Sequence, residues 1–214
     1  MNKAVSVEVP IRYRRQSQSR GNTYTMTFVK DGPLGQGILV PCKASVSDTA
    51  DLVSEAEELW MAEQPDAEPT SIGASWGCVG ALFSERSLQS SLSLCWMKHF
   101  HSKSSPISPV DKDGFLNISW PNILGNGPAQ AEIILATATK GKSIQPTPEQ
   151  VAEAWINQDN GYEEYFFENV KHGIRTPEDG LIWEKIKTAK PKWLTEKSYA
   201  EVAAILETEA RSGV

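Results

Sequence analysis

The stretch Ser75-Trp76-Gly77-Cys78-Val79-Gly80-Ala81-Leu82-Phe83 is the least polar run of this sequence. It contains two glycines and no charged residue, and it leads into Ser84-Glu85, a pair typical of a helix start. A short apolar run bounded by turn or cap signals is typical of a strand with both faces buried. We therefore expect residues 75–83 to form the central strand of a sheet, with a helix beginning at 84–85.

Apolar and polar side chains alternate in the segment that opens the chain. The alternation runs from Val5 to Tyr13 and again from Thr23 to Phe28, and a third apolar run spans 37–42. A period of two residues predicts strands with one buried face. Pro10 lacks an N–H group, which places the first strand at an edge. The pattern predicts a three-stranded antiparallel meander over residues 4–43.

Helical and strand patterns then follow each other up to residue 145. Leu52, Ala56 and Trp60 recur at helical spacing, and a second apolar stripe runs from Leu88 to His99. Two more strands are expected at 115–120 and 132–139. The first part of the chain is therefore predicted to form a mainly antiparallel sheet of about six strands with two packed helices.

Only helix signals follow Ser143. Thr147-Pro148-Glu149-Gln150 has the form of a capping box with proline in the first helical turn, and Gly173 fits a glycine C-cap. Pro191 interrupts the helical pattern before a last stripe from Tyr199 to Leu206. The sequence thus predicts an α+β protein with a sheet domain at 1–145 and an all-helical C-terminal region at 146–214, which we expect to pack on the first.

Composition narrows the class of protein. The chain has 214 residues, of which 40% are hydrophobic and 22% charged, as in an ordinary globular protein. There is no apolar run of the roughly 18 residues that a membrane span needs, and the N-terminus lacks a signal peptide's apolar core. Three cysteines without a secretion signal indicate reduced thiols. We expect a soluble cytoplasmic protein without membrane contact.

The charges are unevenly distributed along the chain. Residues 1–30 carry six basic side chains and one acidic side chain, whereas 45–70 carry eight acids and neither lysine nor arginine. Segments of opposite charge favour contact with each other, or contact of the basic segment with an anionic partner.

The basic segment supplies the first candidate site. Its arginines lie on the predicted edge strand and the following loop, where they could follow the phosphates of a nucleic acid; they are Arg12, Arg14, Arg15 and Arg20. The alternative is that charged side chains on an edge strand prevent aggregation.

A second candidate for anion binding follows the last predicted strand. Lys140-Gly141-Lys142-Ser143 has the ending of a phosphate-binding loop. However, Ala136 stands where the first glycine belongs, and helix signals begin only at Thr147. A solvated basic turn is the simpler interpretation, with Lys140, Lys142 and Ser143 kept as anion-binding candidates.

Thiol chemistry is a third possibility. Cys95 and His99 are one helical turn apart, a spacing that suits a thiolate–imidazole pair or two metal ligands. They share an apolar stripe with Leu88 and Leu92, where a cysteine is usually a small hydrophobe. Cys78 lies in the apolar strand and lacks the strand-to-helix turn of a catalytic elbow. We keep Cys78, Cys95 and His99 as catalytic candidates and expect no metal or cofactor.

Two of the seven tryptophans suggest an interface. Trp183 and Trp193 flank a basic segment at 185–192. Tryptophan is favoured at interfaces because it is large and keeps one polar group, although a core position is an equal alternative for these two.

These features together predict a non-catalytic cytoplasmic protein that binds a macromolecule. A protein partner or self-association into an oligomer is the leading prediction, because separated charges and extra tryptophans suit protein interfaces. One alternative is nucleic-acid binding through the basic N-terminal hairpin. The other is a small cysteine-dependent hydrolase or transferase.

Overall fold

The computed structural model describes residues 4–42, 46–124, 131–157, 161–195 and 197–212. These residues form six α-helices and eight strands in three small antiparallel sheets. The predicted α+β class is confirmed, with more strands than expected. The chain divides into two compact units: Met1–Pro10, Phe28–Gly32 and Leu39–Lys140 make the first, and Ile11–Thr27, Pro33–Ile38 and Gly141–Val214 the second. The domain boundary expected at residue 145 stays a prediction.

The bounds of the elements are as follows. The strands are β1 Val5–Val9, β2 Ile11–Ser17, β3 Thr23–Phe28, β4 Gly35–Leu39, β5 Gly73–Ala74, β6 Gly77–Phe83, β7 Asn122–Ile123 and β8 Ile133–Thr139. The helices are α1 Thr49–Glu63, α2 Ser91–Lys103, α3 Pro148–Ile156, α4 Glu164–Lys171, α5 Asp179–Ala189 and α6 Lys197–Ser212.

The first unit is built on β6, which lies between β5 and β8 in its sheet. β6 and β8 pair antiparallel along their whole length, from Gly77 opposite Thr139 to Phe83 opposite Ile133. Nearly every residue of β6 is buried. The predicted central strand is therefore confirmed within its own sheet.

The core of the first unit combines β6 with α1 and α2. Helix α1 contacts both β6 and β8 as well as α2. The predicted stripe of α1 is buried at Leu52, Ala56 and Trp60. The main buried apolar side chains are Leu52, Trp60, Ile72, Val79, Phe83, Trp96, Phe100, Val110 and Leu116.

The expected helix start at 84–85 is wrong, because α2 begins seven residues later at Ser91 with Ser90 as its cap. Serine side chains hold the intervening turn: the Ser84 and Ser87 hydroxyls lie 2.7 Å apart, and Ser87 Oγ donates to the Glu132 carbonyl at 3.1 Å. Serine hydroxyls that bond local backbone compete with helix formation. Leu88, placed on the buried stripe by its spacing, is consequently 50% exposed.

The predicted meander is replaced by a different pairing. The first strand stops before Pro10, and β1 pairs antiparallel with β7. Strands β2 and β3 form a separate two-stranded sheet. The strand expected at 115–120 is reduced to isolated bridges, Phe115 with Ala81 and Leu116 with Val110.

The second unit contains the β2–β3 hairpin and helices α3 to α6. The capping box of α3 is present, since Thr147 Oγ1 accepts from Gln150 N and the Gln150 side chain accepts from Thr147 N. Helix α4 ends at Lys171, and Gly173 beyond it has φ +76°, with a hydrogen bond from Ile174 N to Asn169 O at 2.8 Å. Both helix signals are thus confirmed.

Aromatic side chains dominate the core of the second unit. Tyr13 of β2 meets Trp155 of α3 edge-on, with 5.2 Å between ring centroids. Phe167 stacks on Tyr199 at 3.9 Å. Other buried members are Val151, Phe166, Val170, Ile182, Trp183, Ile186, Val202 and Leu206. Across the described residues, none of the helices is long and apolar enough to cross a membrane.

Gly114 provides a test of the packing in the first unit. It has φ +82°, and a Cβ atom there would lie 2.5 Å from Cγ of Phe100. We expect Gly114→Ala to lower the free energy of unfolding by about 3 kcal/mol, because positive φ and overpacking both oppose the methyl group. Urea unfolding measures the change.

Gly173→Ala is the matched control. Gly173 also has positive φ, but its Cβ would meet only Ile38 Cδ1 at an ordinary 3.9 Å. The free energy of unfolding of this variant should fall by only about 1 kcal/mol, the part that arises from the positive φ. Equal losses for the two variants would contradict the packing around Gly114.

Candidate functional site

Arg14 joins two segments that are far apart in the sequence. Its Nε donates to the Lys142 carbonyl at 2.5 Å and its Nη2 to the Ser143 carbonyl at 2.8 Å. In return, Lys142 N donates to the Arg14 carbonyl at 2.8 Å. Gly141 allows this approach, because a Cβ there would already lie 3.3 Å from Cγ and Cδ of Arg14. The two predicted anion-binding segments therefore meet on one face of the second unit.

An aromatic ring and a carboxamide adjoin Lys142, and a second pair of cation and ring lies in the same unit. The Lys142 ammonium lies 5.8 Å from the ring centroid of Tyr24 and also donates to Gln16 Oε1. The Arg20 guanidinium lies 5.4 Å from the ring centroid of Tyr165. We call the set Arg14, Arg20, Tyr24, Lys142 and Tyr165 the basic surface.

Two cations of the basic surface have uncharged hydrogen-bond partners. Arg14 is held by backbone carbonyls and Lys142 by a carboxamide, which are neutral acceptors. Among the residues that the structure describes, neither side chain has a carboxylate partner. A positive charge that is oriented but not neutralised attracts anions.

Arg12 has a different role from that expected of it. It forms an ion pair with Glu178, and the two side chains are only 18% and 13% exposed. Burial raises the pKa of Glu178 despite the nearby arginine. Arg12 is therefore neutralised inside the unit, while Arg15 is half-buried and Lys140 is exposed.

A second ion pair lies in the same unit and was not expected from the sequence. Asp179 is 1% exposed; its carboxylate accepts from Thr176 Oγ1 and from Arg175 Nε, the latter at 3.2 Å. Burial raises the pKa of Asp179 to about 6, against these two partners, which lower it. The pKa of the Tyr13 hydroxyl is likewise raised, by burial and then by the Asp179 charge.

The raised pKa of Asp179 predicts a dependence of stability on pH. The Asp179 carboxyl is protonated more readily in the folded chain than in the unfolded chain. Its contribution to folding stability is therefore greatest below its unfolded pKa of 3.8 and is lost as pH rises to about 6. At 1.36 kcal/mol per pKa unit the loss is about 3 kcal/mol. Asp179→Asn should remove this dependence, as measured by urea unfolding between about pH 4 and pH 7.

Asp51 gives a control of opposite sign. Hydrogen bonds from Ser47 lower the pKa of its exposed carboxyl, so its contribution is present at neutral pH and is lost as pH falls. Asp51→Asn should therefore reduce the loss of stability that the wild type shows as pH falls. If Asp179→Asn and the wild type have parallel profiles from pH 4 to 7, Asp179 does not titrate as described.

A shallow groove lies beside the basic surface. It has a volume of about 290 Å³, and the hairpin contributes Gln16, Gly21, Asn22 and Tyr24 to its lining. The opposite wall is one face of α3 and its C-cap, formed by Gln150, Glu153, Ala154 and Asn157. The groove residues were missed in the sequence because their spacing of three and four residues on α3 is equally typical of a solvated helix face.

The thiol candidates lie in the first unit. Cys78 is completely buried in β6, and burial raises the pKa of its thiol to about 11. Cys95 is half-buried on α2. His99 Nε2 lies 3.9 Å from Glu57 Oε1, and burial lowers the pKa of its imidazole. Within the described residues, no three His, Cys, Asp or Glu side chains are grouped to hold a metal ion.

The burial of Cys78 predicts slow alkylation. A thiol with a pKa of about 11 is protonated at neutral pH, and the thiolate is the reactive form. We expect iodoacetamide to modify exposed Cys42 in the native protein and to leave Cys78 intact. Mass spectrometry of tryptic peptides measures both, and alkylation in urea provides the control in which Cys78 reacts. Rapid native modification of Cys78 would instead support a nucleophilic role.

The two tryptophans proposed for an interface lie in different environments. Trp183 is 1% exposed in the aromatic core, which corresponds to the core alternative. Trp193 is partly buried; it meets Phe167 edge-on at 6.2 Å, and the Lys190 ammonium lies 5.7 Å from its ring centroid.

Comparison with protein-family models, with curated proteins and with solved structures finds no match for this chain.

Proposed function

We propose that this chain is a non-catalytic binding protein whose partner is single-stranded nucleic acid, held at the basic surface. The observation that carries the proposal is the position of Arg14 and Lys142, two oriented cations without carboxylate partners among the described residues, beside the ring of Tyr24. A protein partner or self-association stays a prediction, as does a cytoplasmic location.

The chemistry of the surface matches that of a single strand. Cations contact the phosphates, and aromatic rings stack with bases that a duplex would keep paired. Tyr24 and Tyr165 each have a cation close to the ring, at 5.8 Å from Lys142 and 5.4 Å from Arg20. In such a pair the cation can contact a phosphate while the neighbouring ring stacks with a base.

The net charge of −6 does not oppose this function. Charges more than about 10 Å apart are largely screened at ordinary salt concentration, so a partner responds to the local charge. The acid-rich segment at 48–68 belongs to the first unit and the basic surface to the second. Repulsion between the negative net charge of the chain and a nucleic acid should slow association at low salt without removing the site.

The proposal predicts salt-dependent binding. Fluorescence anisotropy with a labelled DNA strand of about 12 nucleotides should give an affinity that falls linearly with salt on logarithmic axes. Lys142→Ala should weaken binding and reduce the slope by about 0.7, the share of one phosphate contact. The substitution removes an exposed side chain, so the fold should be kept.

Lys171→Ala is the matched control. Lys171 is exposed on α4 of the same unit and lies 3.6 Å from Glu168. Its removal changes the net charge by the same amount and should leave the slope unchanged. Absent binding, salt-insensitive binding, or equal effects of the two substitutions would each overturn the proposal.

A further inference from the structure

The groove beside the basic surface differs from it in chemistry. Its lining contains one aromatic ring, Tyr24, and one carboxylate, Glu153; the remaining polar side chains are the carboxamides of Gln16, Asn22, Gln150 and Asn157. A carboxylate repels phosphate, so the groove is unsuited to the backbone of a nucleic acid. Carboxamides and carboxylates are, in contrast, the groups that bond the edges of bases.

The groove and the basic surface share Tyr24, and Lys142 of the basic surface also contacts Gln16 of the groove. A cation at the rim and a ring in the lining are arranged so that a phosphate could lie outside while its base enters. The volume of about 290 Å³ lies just below the usual range for ligand sites, about 300–1,000 Å³, and suits one base.

The hairpin wall is held in position by its own hydrogen bonds. Gln16 Nε2 donates to the Asn22 carbonyl at 2.8 Å while Gln16 Oε1 accepts from Lys142. Asn22 has φ +63°, a left-handed conformation that asparagine tolerates and that follows Gly21 in the turn. A fixed wall of this kind loses little freedom when a ligand enters.

The helical wall presents groups of defined polarity. Gln150 Oε1 accepts from Thr147 N, which leaves the Gln150 NH₂ group as its donor for a ligand. Glu153 is exposed one turn further along α3 and can only accept hydrogen bonds when ionised. Ala154, which follows Glu153, is small enough to let a planar ring approach the helix.

We infer that this groove is a subsite for a single nucleobase with an exocyclic amino group, with Glu153 as the residue that selects it; the inference rests on the proposed function. The amino group of cytosine donates to the Glu153 carboxylate, and its ring acceptors face the carboxamide donors. Thymine presents a carbonyl at the same position, which the carboxylate repels. Tyr24 stacks on the base.

The test compares two homopolymers with the same sugar and phosphates. Strands of deoxycytidine and of deoxythymidine, each about 12 nucleotides long, are titrated at equal salt. We expect deoxycytidine to bind about tenfold more tightly, the discrimination of one good base contact. In Glu153→Gln the ratio should fall close to one, because a carboxamide can present either its oxygen or its NH₂ group.

Glu149→Gln is the control, since Glu149 is an exposed acid of the same helix outside the groove lining. It should keep the wild-type ratio, and all three proteins should keep the same salt slope. Equal binding of the two strands, or preference for deoxythymidine, would overturn the base subsite while leaving the basic surface in place. If neither strand binds at low salt, the proposed function fails and the subsite with it.

Discussion

The contact between Arg14 and the backbone of residues 142–143 is the interaction on which the candidate site depends. It fixes the segment after β8 against the hairpin by three hydrogen bonds, from Arg14 Nε and Nη2 and from Lys142 N. The acceptors of the guanidinium are neutral, so the arrangement orders a cation without cancelling it. The same contact brings Lys142 to Tyr24 and Gln16, and thereby defines the rim of the groove.

The alternation of side chains along β2 explains how one strand serves both the core and the surface. Tyr13 points into the aromatic core, where it meets Trp155, and its neighbours Arg12 and Arg14 take the other face. On that face the charge of Arg12 is neutralised by an ion pair with Glu178, while Arg14 and Gln16 contact the 142–143 segment. The strand therefore contributes stability at one end and a charged surface at the other.

Local sequence patterns predicted individual strands and helix ends, whereas the pairing of strands depends on residues far apart in the chain. The burial of β6, the capping box at Thr147 and the glycine end of α4 follow from neighbouring residues, and all three are present. The partner of β1 could not be predicted, because pairing with β7 joins residues more than a hundred positions apart. Likewise, nothing near Ser84 shows that Glu132 will accept a hydrogen bond from Ser87.

The candidate site shows the same division. Arg14 and Lys142 were each recognisable as basic residues near a strand, but their meeting is a property of the fold. Sequence could not separate Arg12 from Arg14 either, because the carboxylate that neutralises Arg12 comes from Glu178 at the start of α5. Asp179 carries no sequence pattern that marks burial, and it is burial in the folded chain that raises its pKa.

The most direct test of the central claim is a map of where a single strand binds. Two-dimensional ¹H–¹⁵N NMR spectra recorded during titration with a short deoxycytidine strand report each backbone amide separately. The account predicts shifts concentrated at residues 14–24, at 141–143 and along α3, with amides around Cys95 and His99 unchanged. Shifts centred elsewhere in the chain, or none at saturating strand and low salt, would contradict it.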